Sequence, residues 1–549
     1  MALIFILTFI LPLAGAIGIL GLSLVPRIRP YVRYVTLALV SLTTILVFTL
    51  RWADPVVVTP TLWKPLSLFG AVPILQNDVT VQPMALALML AACGATLVGP
   101  GRMEASSSRL VVSLLALLPA GFVSLWAANP LTMIIGWAFY DLLQAVGRLS
   151  AGGSARTVIR EIVCGSVATL FLWGGVVLSY SGSIGELWML INPGRVSLTL
   201  WVVAGVLRLW VYPFHLATPD DLDPASPLAV LLLLGPVTGW GLWLRLASMN
   251  GGSIFGDAWV LALAAATIAV GGFLAWSCKA PRFMLPWVGM GMTGTVLLGA
   301  AMAGENAAAV IVAGGVAWIL GVAVLFLSDG LRGEAVWWAL PSLVGTLALM
   351  GIPLTLGFVA ESTLIGALIR EGRLAWIGAF FVGNLFLAPA LVRWLRSSFS
   401  PGEGSSPARE EGIGGVVRIV TRGVGLGLPA SLLVVAGLYP PLLIGKDPAW
   451  SLGALFTRPG LAGWLLWAIS LVGGGVLAWQ ERNLRPKIEL ILSAAHDLLR
   501  LDWLYDAVVS ALDRGLSVLQ MADDLVGGAG ALLWSWLLFL IIILAWSSR

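Results

Sequence analysis

Long apolar runs recur along the whole chain, separated by short polar segments. A helix that crosses the hydrocarbon core of a bilayer needs about 20 apolar residues, and runs of that kind fit at sixteen positions. We therefore predict an all-α polytopic membrane protein with about 16 transmembrane helices. The runs lie near residues 2–25, 31–51, 80–99, 109–127, 130–149, 161–181, 197–217, 226–248, 257–277, 284–303, 306–328, 336–370, 374–395, 423–445, 461–480 and 531–547.

Two of these runs are interrupted by residues that break helices. The run at 336–370 contains Gly351-Ile352-Pro353 and then Gly357, and the run at 197–217 ends in Tyr212-Pro213-Phe214-His215. Within a bilayer, non-helical backbone is tolerated only where it faces protein or a wet cavity. Both breaks are therefore predicted to lie inside the helix bundle.

The C-terminal third departs from the pattern of simple spans. A polar linker is predicted at 397–422, and residues 484–525 place apolar side chains at helical spacing with charged ones between them. This spacing predicts an amphipathic helix that lies along the membrane or on partner helices. A C-terminal transmembrane anchor is predicted at 531–549.

Composition excludes several classes of protein. The chain is 59% hydrophobic and 11% charged, whereas soluble domains contain about 25% charged residues, so a soluble enzyme and a disordered chain are both excluded. The run at 2–24 has no basic segment before it, and we expect a membrane helix there rather than a cleaved signal peptide.

The distribution of basic residues predicts an orientation. Loops after odd-numbered spans hold 19 Lys and Arg residues and loops after even-numbered spans hold 8. Because cytoplasmic loops carry the excess, the N-terminus is predicted to lie outside and the amphipathic helix on the cytoplasmic side.

No cofactor, metal site or nucleic-acid partner is predicted. The three cysteines are far apart, there are only two histidines, and basic residues do not cluster. Iron–sulfur, zinc and bis-histidine haem sites, dinucleotide or nucleotide fingerprints and nucleic-acid binding are all disfavoured. No catalytic residue is assigned, and any redox chemistry is expected on partner subunits.

Ionisable side chains inside apolar runs are the candidate functional residues, because burying them in a membrane is costly. Four stand out: Asp141, Arg208, His215 and Glu361. Asp141 and Arg208 fit either a structural ion pair or a proton path. His215 could cap a helix break or belong to a proton path, and Glu361 could cap the half-helix after Gly357 or carry protons.

Four other acidic residues lie near the ends of apolar runs, where we expect them to be solvated. They are Glu161, Glu186, Glu305 and Asp329.

Several segments resemble signatures of one family. These segments are Pro213-Phe214-His215, Thr218-Pro219-Asp220, Pro224-Ala225-Ser226-Pro227, Arg282 to Gly294, Leu325-Phe326-Leu327, Leu349 to Pro353 with Gly357-Phe358, and Asp502-Trp503-Leu504-Tyr505-Asp506. The family that they resemble comprises the antiporter-like L-, M- and N-type membrane subunits of complex I-type NADH:quinone oxidoreductases, with relatives in hydrogenase complexes and Mrp-type antiporters.

The resemblance implies an arrangement of helices. An N-terminal three-helix segment at 1–108 would precede two inverted five-helix repeats at 109–248 and 257–396, each with one broken helix. Two further transmembrane helices at 423–480 would follow. It also implies a bacterial or archaeal cell membrane, other membrane subunits as partners, and redox subunits held elsewhere in the complex.

In such subunits a row of charged residues carries protons across the midplane, and this chain matches only part of it. Asp141 stands at the glutamate of helix 5, Arg208 at the lysine of helix 7 and Glu361 at the charged position of helix 12. The remaining relay positions of helices 8, 10 and 11 fall at Pro236, Gly291-Met292, Trp318 and Val322.

These departures predict a weakened or lost proton path, because arginine does not deprotonate in proteins and the central positions cannot titrate. The leading hypothesis is a non-redox membrane subunit of a complex I-type proton-translocating oxidoreductase. Alternatives are a subunit of a Mrp-type antiporter, membrane-bound hydrogenase or inorganic-carbon uptake complex, or a scaffold for assembly.

Overall fold

The structure is a computed structural model of the 549-residue chain. It describes residues 2–25, 27, 31–52, 55–59, 71–98, 108–179, 184–219, 226–249, 257–329, 331, 336–397, 413–444, 458–526 and 530–547. Most of the predicted polar linker and residues 220–225 of the family motif lie outside the described residues.

The described chain is built almost entirely of helices, which begin and end as follows. They are α1 (Ala2–Ser23), α2 (Val32–Thr49), α3 (Gln82–Val98), α4 (Ser108–Leu125), α5 (Pro130–Ser150), α6 (Ala155–Val177), α7 (Arg195–Arg208), α8 (Val237–Met249), α9 (Ala258–Ser277), α10 (Leu285–Met302), α11 (Ala307–Ser328), α12 (Ala339–Leu349), α13 (Leu356–Arg370), α14 (Leu374–Ser397), α15 (Ile413–Leu438), α16 (Pro441–Ile444), α17 (Arg458–Arg500), α18 (Asp502–Val526) and α19 (Gly530–Ser547).

The structure confirms the prediction of a polytopic, helical membrane protein. Within the described ranges, ten helical segments are long and apolar enough to cross a membrane, and two shorter helices, α3 and α12, are apolar as well. The number of sixteen spans and the inverted repeats remain predictions. The sequence analysis missed one element, a small antiparallel ribbon in which β1 (Val56–Val58) pairs with β2 (Leu75–Asn77).

Helix α11 lies at the centre of the bundle. It packs against α3, α8, α10, α12, α13 and α15, and its residues from Val310 to Ser328 are all buried. Its neighbour α10 is buried along its whole length. A helix that is apolar all round belongs in such a position, and the two helices form the core against which the others pack.

Small residues allow the backbones of neighbouring helices to approach closely. A side chain on Gly272 of α9 would lie 2.4 Å from the Gly383 carbonyl oxygen of α14, and one on Gly271 would lie 2.5 Å from the Gly291 nitrogen of α10. Because apolar side chains gain little from leaving lipid for another helix, such close packing is a main source of helix association in membranes.

Both predicted breaks are present. Helix α7 ends at Arg208 and is followed by Trp210 with φ 55°. Between α12 and α13, Gly351 and Leu354 adopt φ values of 59° and 75°. The two half-helices approach so closely that a side chain on Gly357 would lie 1.9 Å from the Ala348 carbonyl oxygen.

A third break, which was not predicted, divides the eighth span. A 3-10 helix (Pro227–Leu234) precedes α8, and Gly235 and Pro236 separate them. Proline interrupts the helix because it has no N–H and clashes with the preceding turn. The break falls at the position where the family resemblance places a lysine.

Two arginines close the C-terminal end of α9. Arg393 donates to the carbonyl oxygens of Trp276 (3.0 Å), Ala275 (3.2 Å) and Cys278 (2.8 Å). Arg485 donates to Cys278 as well (2.8 Å), and Glu481 binds both guanidinium groups at 3.1 and 2.9 Å. Arginines at this end suit the negative pole of the helix and join α9, α14 and α17.

The chain forms two compact units, Met1–Leu492 and Ser493–Arg549. The predicted span at 461–480 and the first part of the predicted amphipathic segment form one continuous helix, α17. That segment is not a single helix, because Leu501 adopts φ 59° and α18 begins after it. Helix α15 begins at Ile413, so the polar linker is shorter than predicted.

Replacement of Gly357 tests the close approach of α12 and α13. We expect Gly357→Ala to destabilise the protein by about 1–3 kcal/mol, as overpacked cores do, and to lower the midpoint of thermal unfolding in detergent. Gly427→Ala on α15 is the control, because a side chain there meets nothing within 4 Å. Equal unfolding midpoints for the two variants would contradict this account of the break.

Candidate functional site

Asp141 and Arg208 form an ion pair with two hydrogen bonds, in which the arginine is buried and the aspartate half-buried. One guanidinium nitrogen of Arg208 donates to Asp141 Oδ1, and the other donates to Oδ2 at 2.8 Å. The arginine is only 8% exposed. Paired hydrogen bonds between arginine and carboxylate are among the stronger and more directional polar contacts in proteins, so this pair fixes α7 against α5.

The rest of the guanidinium is held by α6 and by an aromatic ring. Arg208 Nη2 also donates to the Gly165 carbonyl oxygen (3.1 Å) and to Thr169 Oγ1 (3.2 Å). Its Cζ lies 4.4 Å from the ring centroid of Trp137, within the range of a cation–π contact. The positive charge on α7 is thus contacted by two neighbouring helices, α5 and α6.

A second buried ion pair lies on the same face of α5, and it contradicts one expectation from the sequence. Glu161, expected to be solvated, is 7% exposed, and Arg148, counted as a loop residue, is 0% exposed. Arg148 Nη1 lies 2.9 Å from Glu161 Oε2, and Gln144 Nε2 donates to Glu161 Oε1. The expectation failed because α6 begins at Ala155, so Glu161 packs against α5. Among the other three acidic residues, Glu305 is exposed, while Glu186 and Asp329 are half-buried.

A small cavity lies between the Asp141–Arg208 pair and Glu161 of the second pair. Its volume is about 30 Å³, room for about one or two water molecules. Asp141, Glu161, Arg208 and Gln144 all line it. Because Arg208 Nε is buried without a hydrogen-bond partner among the described residues, the site has both the space and the polar groups that a bound water requires. The remaining lining residues are Tyr140, Cys164, Gly165, Leu207, Trp210, Ala217, Gly235 and Thr238.

His215 and Glu361 do not line this cavity. His215 is buried just after the α7 break, where its ring stacks on Tyr212 (centroids 5.3 Å apart) and meets Trp287 of α10 edge-on (5.7 Å). It therefore lies in an aromatic environment between the break and α10.

Glu361 lies in α13 and is 2% exposed. Its carboxylate reaches back to the break, because a side chain on Gly351 would come within 2.0 Å of Oε2. Oε1 is buried with no hydrogen-bond partner among the described residues. Unlike Asp141, this carboxylate has no arginine bound to it in the part of the chain that the structure describes.

The helices between these two groups present apolar side chains at the predicted relay positions. Met292, Trp318 and Val322 are all buried in the core, and Pro236 occupies the break before α8. The Trp318 indole N–H has no hydrogen-bond partner among the described residues. None of these four side chains can gain or lose a proton near neutral pH.

Arg245, counted as a loop residue in the orientation argument, also lies inside a helix. It is buried in α8 and binds Asp78, with Nη1 2.7 Å from Oδ2. Burial alone would raise the pKa of Asp78, but Arg245 and the donors Thr80 and Val81 outweigh it, and the pKa lies below its usual value. Asp78 precedes α3, so this pair ties the loop to α8.

The sequence analysis missed Glu161, Arg148 and Gln144 as a group. The signal was the spacing of Asp141, Gln144 and Arg148, in which Gln144 and Arg148 follow Asp141 by three and seven positions. Residues so spaced lie on one face of a helix, and a polar face within an apolar run indicates buried partners.

A set of charge substitutions measures how strongly the first ion pair holds α5 to α7. We expect Asp141→Asn or Arg208→Gln alone to destabilise the protein by about 3–5 kcal/mol, because each leaves one buried charge unpaired. The double variant should recover much of that loss in thermal unfolding in detergent. Arg373→Gln is the control, since the Arg373–Glu371 pair is 41% and 47% exposed. Additive losses in the double variant would contradict the coupling.

Comparisons with known proteins identify relatives in sequence. No family model matches the chain. NADH-quinone oxidoreductase subunit N of Nitrosomonas europaea is 27% identical over 308 residues, which is 48% of this chain and 64% of that protein. The subunit N of Cupriavidus taiwanensis is 28% identical over 360 residues, 56% of this chain and 72% of that protein. The first alignment thus spans less than two thirds of its relative.

Solved structures share the fold over more of the chain. A chain of the membrane-bound sulfane sulfur reductase, an archaeal respiratory membrane complex, matches with TM-score 0.72 and 16% identity over 98% of this chain and 99% of its own. A chain of the Mrp complex from Dietzia sp. matches with TM-score 0.70 and 16% identity over 98% of this chain and 63% of its own.

The third structure is respiratory complex I from Thermus thermophilus. One of its chains matches with TM-score 0.63 and 18% identity over 86% of this chain and 99% of its own. At these identities the structures support a common fold only. Together with the relatives named subunit N, they confirm that the chain resembles the antiporter-like membrane subunits of complex I-type oxidoreductases and related complexes.

Proposed function

We propose that the chain is a non-redox, antiporter-like membrane subunit of a complex I-type proton-translocating oxidoreductase, in which its own proton path is weakened or lost. The relatives named NADH-quinone oxidoreductase subunit N support the first part of this proposal. All three structural neighbours are chains of respiratory or Mrp complexes, which supports other membrane subunits as partners.

One observation carries the proposal of a silent path. The half-buried Asp141 carboxylate is bound at both oxygens by Arg208, and arginine stays protonated in proteins. A relay needs a group at this position that gives up its proton, as a buried lysine can. With apolar residues at 236, 292, 318 and 322, no titratable side chain stands at any of the expected central positions.

In this function the ion pair holds helices together and sets the local electrostatic field. The net charge of the cluster formed by Asp141, Arg208, Glu161 and Arg148 is zero when all four are ionised. Such a neutral group can respond to charges in neighbouring subunits without passing protons through the bilayer. The outside N-terminus, the inverted repeats at 109–248 and 257–396 and the cytoplasmic amphipathic helix belong to the same proposal.

A second candidate is a subunit of a Mrp-type cation/proton antiporter or a related respiratory complex. The observation in its favour is coverage, since the Mrp and sulfane sulfur reductase chains match 98% of this chain and the complex I chain matches 86%. An active antiporter needs a continuous relay, and the central positions weigh against that activity.

Proton flux measured on the assembled complex in liposomes tests the silent path. We expect Asp141→Asn, His215→Gln and Glu361→Gln each to leave pumping within about twofold of the unmodified complex, a change of less than about 0.5 kcal/mol in activation free energy. Glu305→Gln, on an exposed turn, controls for the loss of a charge. Strong loss of pumping in the Asp141 or Glu361 variant, with assembly intact, would overturn the proposal.

Purification of the tagged chain from its own membranes separates the two candidates. We expect NADH- or quinone-reactive subunits to accompany it in stoichiometric amounts, because a non-redox subunit of this kind works only within such a complex. Small Mrp-like subunits without redox partners would instead establish the second candidate.

A further inference from the structure

The second ion pair lies nearer to one end of the bundle than the first. Glu161 lies five residues after the exposed Arg156 at the start of α6, and Arg148 is in the last turn of α5. Asp141 lies seven residues deeper along α5 than Arg148, about 10 Å at 1.5 Å per residue. Arg148 and Asp141 thus stand at different depths along one face of α5, and Glu161 of α6 binds the one nearer the end of the helix.

The cavity joins these two depths. Asp141 and Glu161 both line it, together with Gln144, whose amide donates to Glu161. With space for water and the unpartnered Nε of a buried arginine beside it, the cavity offers a hydrogen-bonded connection from Glu161 to Asp141. Water in a polar cavity of this kind can pass a proton between two carboxylates that do not touch.

We propose that Glu161 is a proton-binding residue of this subunit, at the outer end of a short hydrated inlet that ends at the Asp141–Arg208 ion pair. A proton from water at the α5–α6 turn binds a carboxylate oxygen of Glu161. Water in the cavity passes it to Asp141, which becomes a neutral acid while Glu161 regains its negative charge. The proton leaves by the same route, because Arg208 has no free lone pair to accept it.

The inference deepens the proposed function and rests on it for the membrane setting. A dead-end inlet lets the charge of the cluster follow the proton concentration at one membrane surface, although nothing is carried across. The charged groups that act on Glu161 are Arg148 and Asp141 of α5 and Arg208 of α7, and Arg160 of α6 acts on the neighbouring Cys164. The titratable side chains of Tyr140 and Cys164 face it as well.

Infrared difference spectroscopy of the full-length chain in lipid nanodiscs tests the inlet, because protonated carboxyl groups absorb apart from ionised ones. Over a pH titration we expect a carboxyl band that is lost in Glu161→Gln and retained in Glu305→Gln. Asp141→Asn should shift the pH midpoint of the Glu161 band, since the two groups are connected. A Glu161→Gln spectrum identical to that of the unmodified chain would overturn the assignment.

A variant that fills the cavity tests the role of its water independently of proton binding by Glu161. A side chain on Gly235 would come within 3.1 Å of Gln144 Nε2, so Gly235→Ala reduces the space for water without removing a charge. In that background the Glu161 band should remain, whereas hydrogen–deuterium exchange of the Asp141 carboxyl group, which a proton reaches through the cavity, should slow. An unchanged exchange rate at Asp141 would show that water in the cavity does not connect the two groups.

Thermal unfolding of each variant in the same nanodiscs establishes that it is folded. The infrared result and the proton-flux result can fail separately. A conducting path across the membrane would overturn the proposed function but would not exclude proton binding by Glu161. Absence of a Glu161 band in the unmodified chain, with proton flux as expected, would overturn the inlet alone.

Discussion

A permanent positive charge buried beside a helix break is the constraint on which the surrounding bundle depends. Arg208 cannot release its proton, and leaving it unpaired in the bilayer interior would cost several kcal/mol. The fold meets this requirement with an aspartate and an indole ring from α5 and a carbonyl and a hydroxyl group from α6. The positions of α5, α6 and α7 relative to one another follow from that one guanidinium group.

In the function proposed above, the same interaction lets the fold of a proton-conducting subunit keep its shape without conducting protons. A lysine at the position of Arg208 would hold one carboxylate oxygen at a time and could lose its proton when desolvated, whereas arginine binds both oxygens and keeps its charge. The stability of the pair therefore rises as its capacity to transfer protons falls. Filling the centre with Trp318, Val322 and Met292 then improves packing at positions where ionisable groups would require water.

The sequence could predict the structural features that depend on long apolar runs or on residues that are rarely found inside membrane helices. Continuous apolar stretches indicated the spans, and Gly351, Pro353 and Pro213 indicated two breaks, because few other residues interrupt a membrane helix. Asp141 and Arg208 stood out because a charge inside an apolar run needs a partner. The contact between them, and the identity of the atoms involved, required the fold.

The features that could not be predicted depend on contacts between distant segments. Glu161 and Arg148 resembled loop charges because each lies near the end of an apolar run, and only the packing of α5 against α6 buries them. The ribbon formed by Val56–Val58 and Leu75–Asn77 was missed because strands of three residues leave no periodic pattern. The break before α8 was missed because Leu228 to Leu234 are apolar enough for either kind of helix.

The arginines that close α9 have a consequence for how this part of the molecule can change during evolution. Arg393 of α14 and Arg485 of α17 share the same carbonyl acceptor, Cys278, and the same counter-ion, Glu481. The effects of substitutions at residues within one such network are not additive. Among homologous sequences these three side chains should therefore be retained or replaced together, and covariation among them would record a helix junction that hydropathy does not reveal.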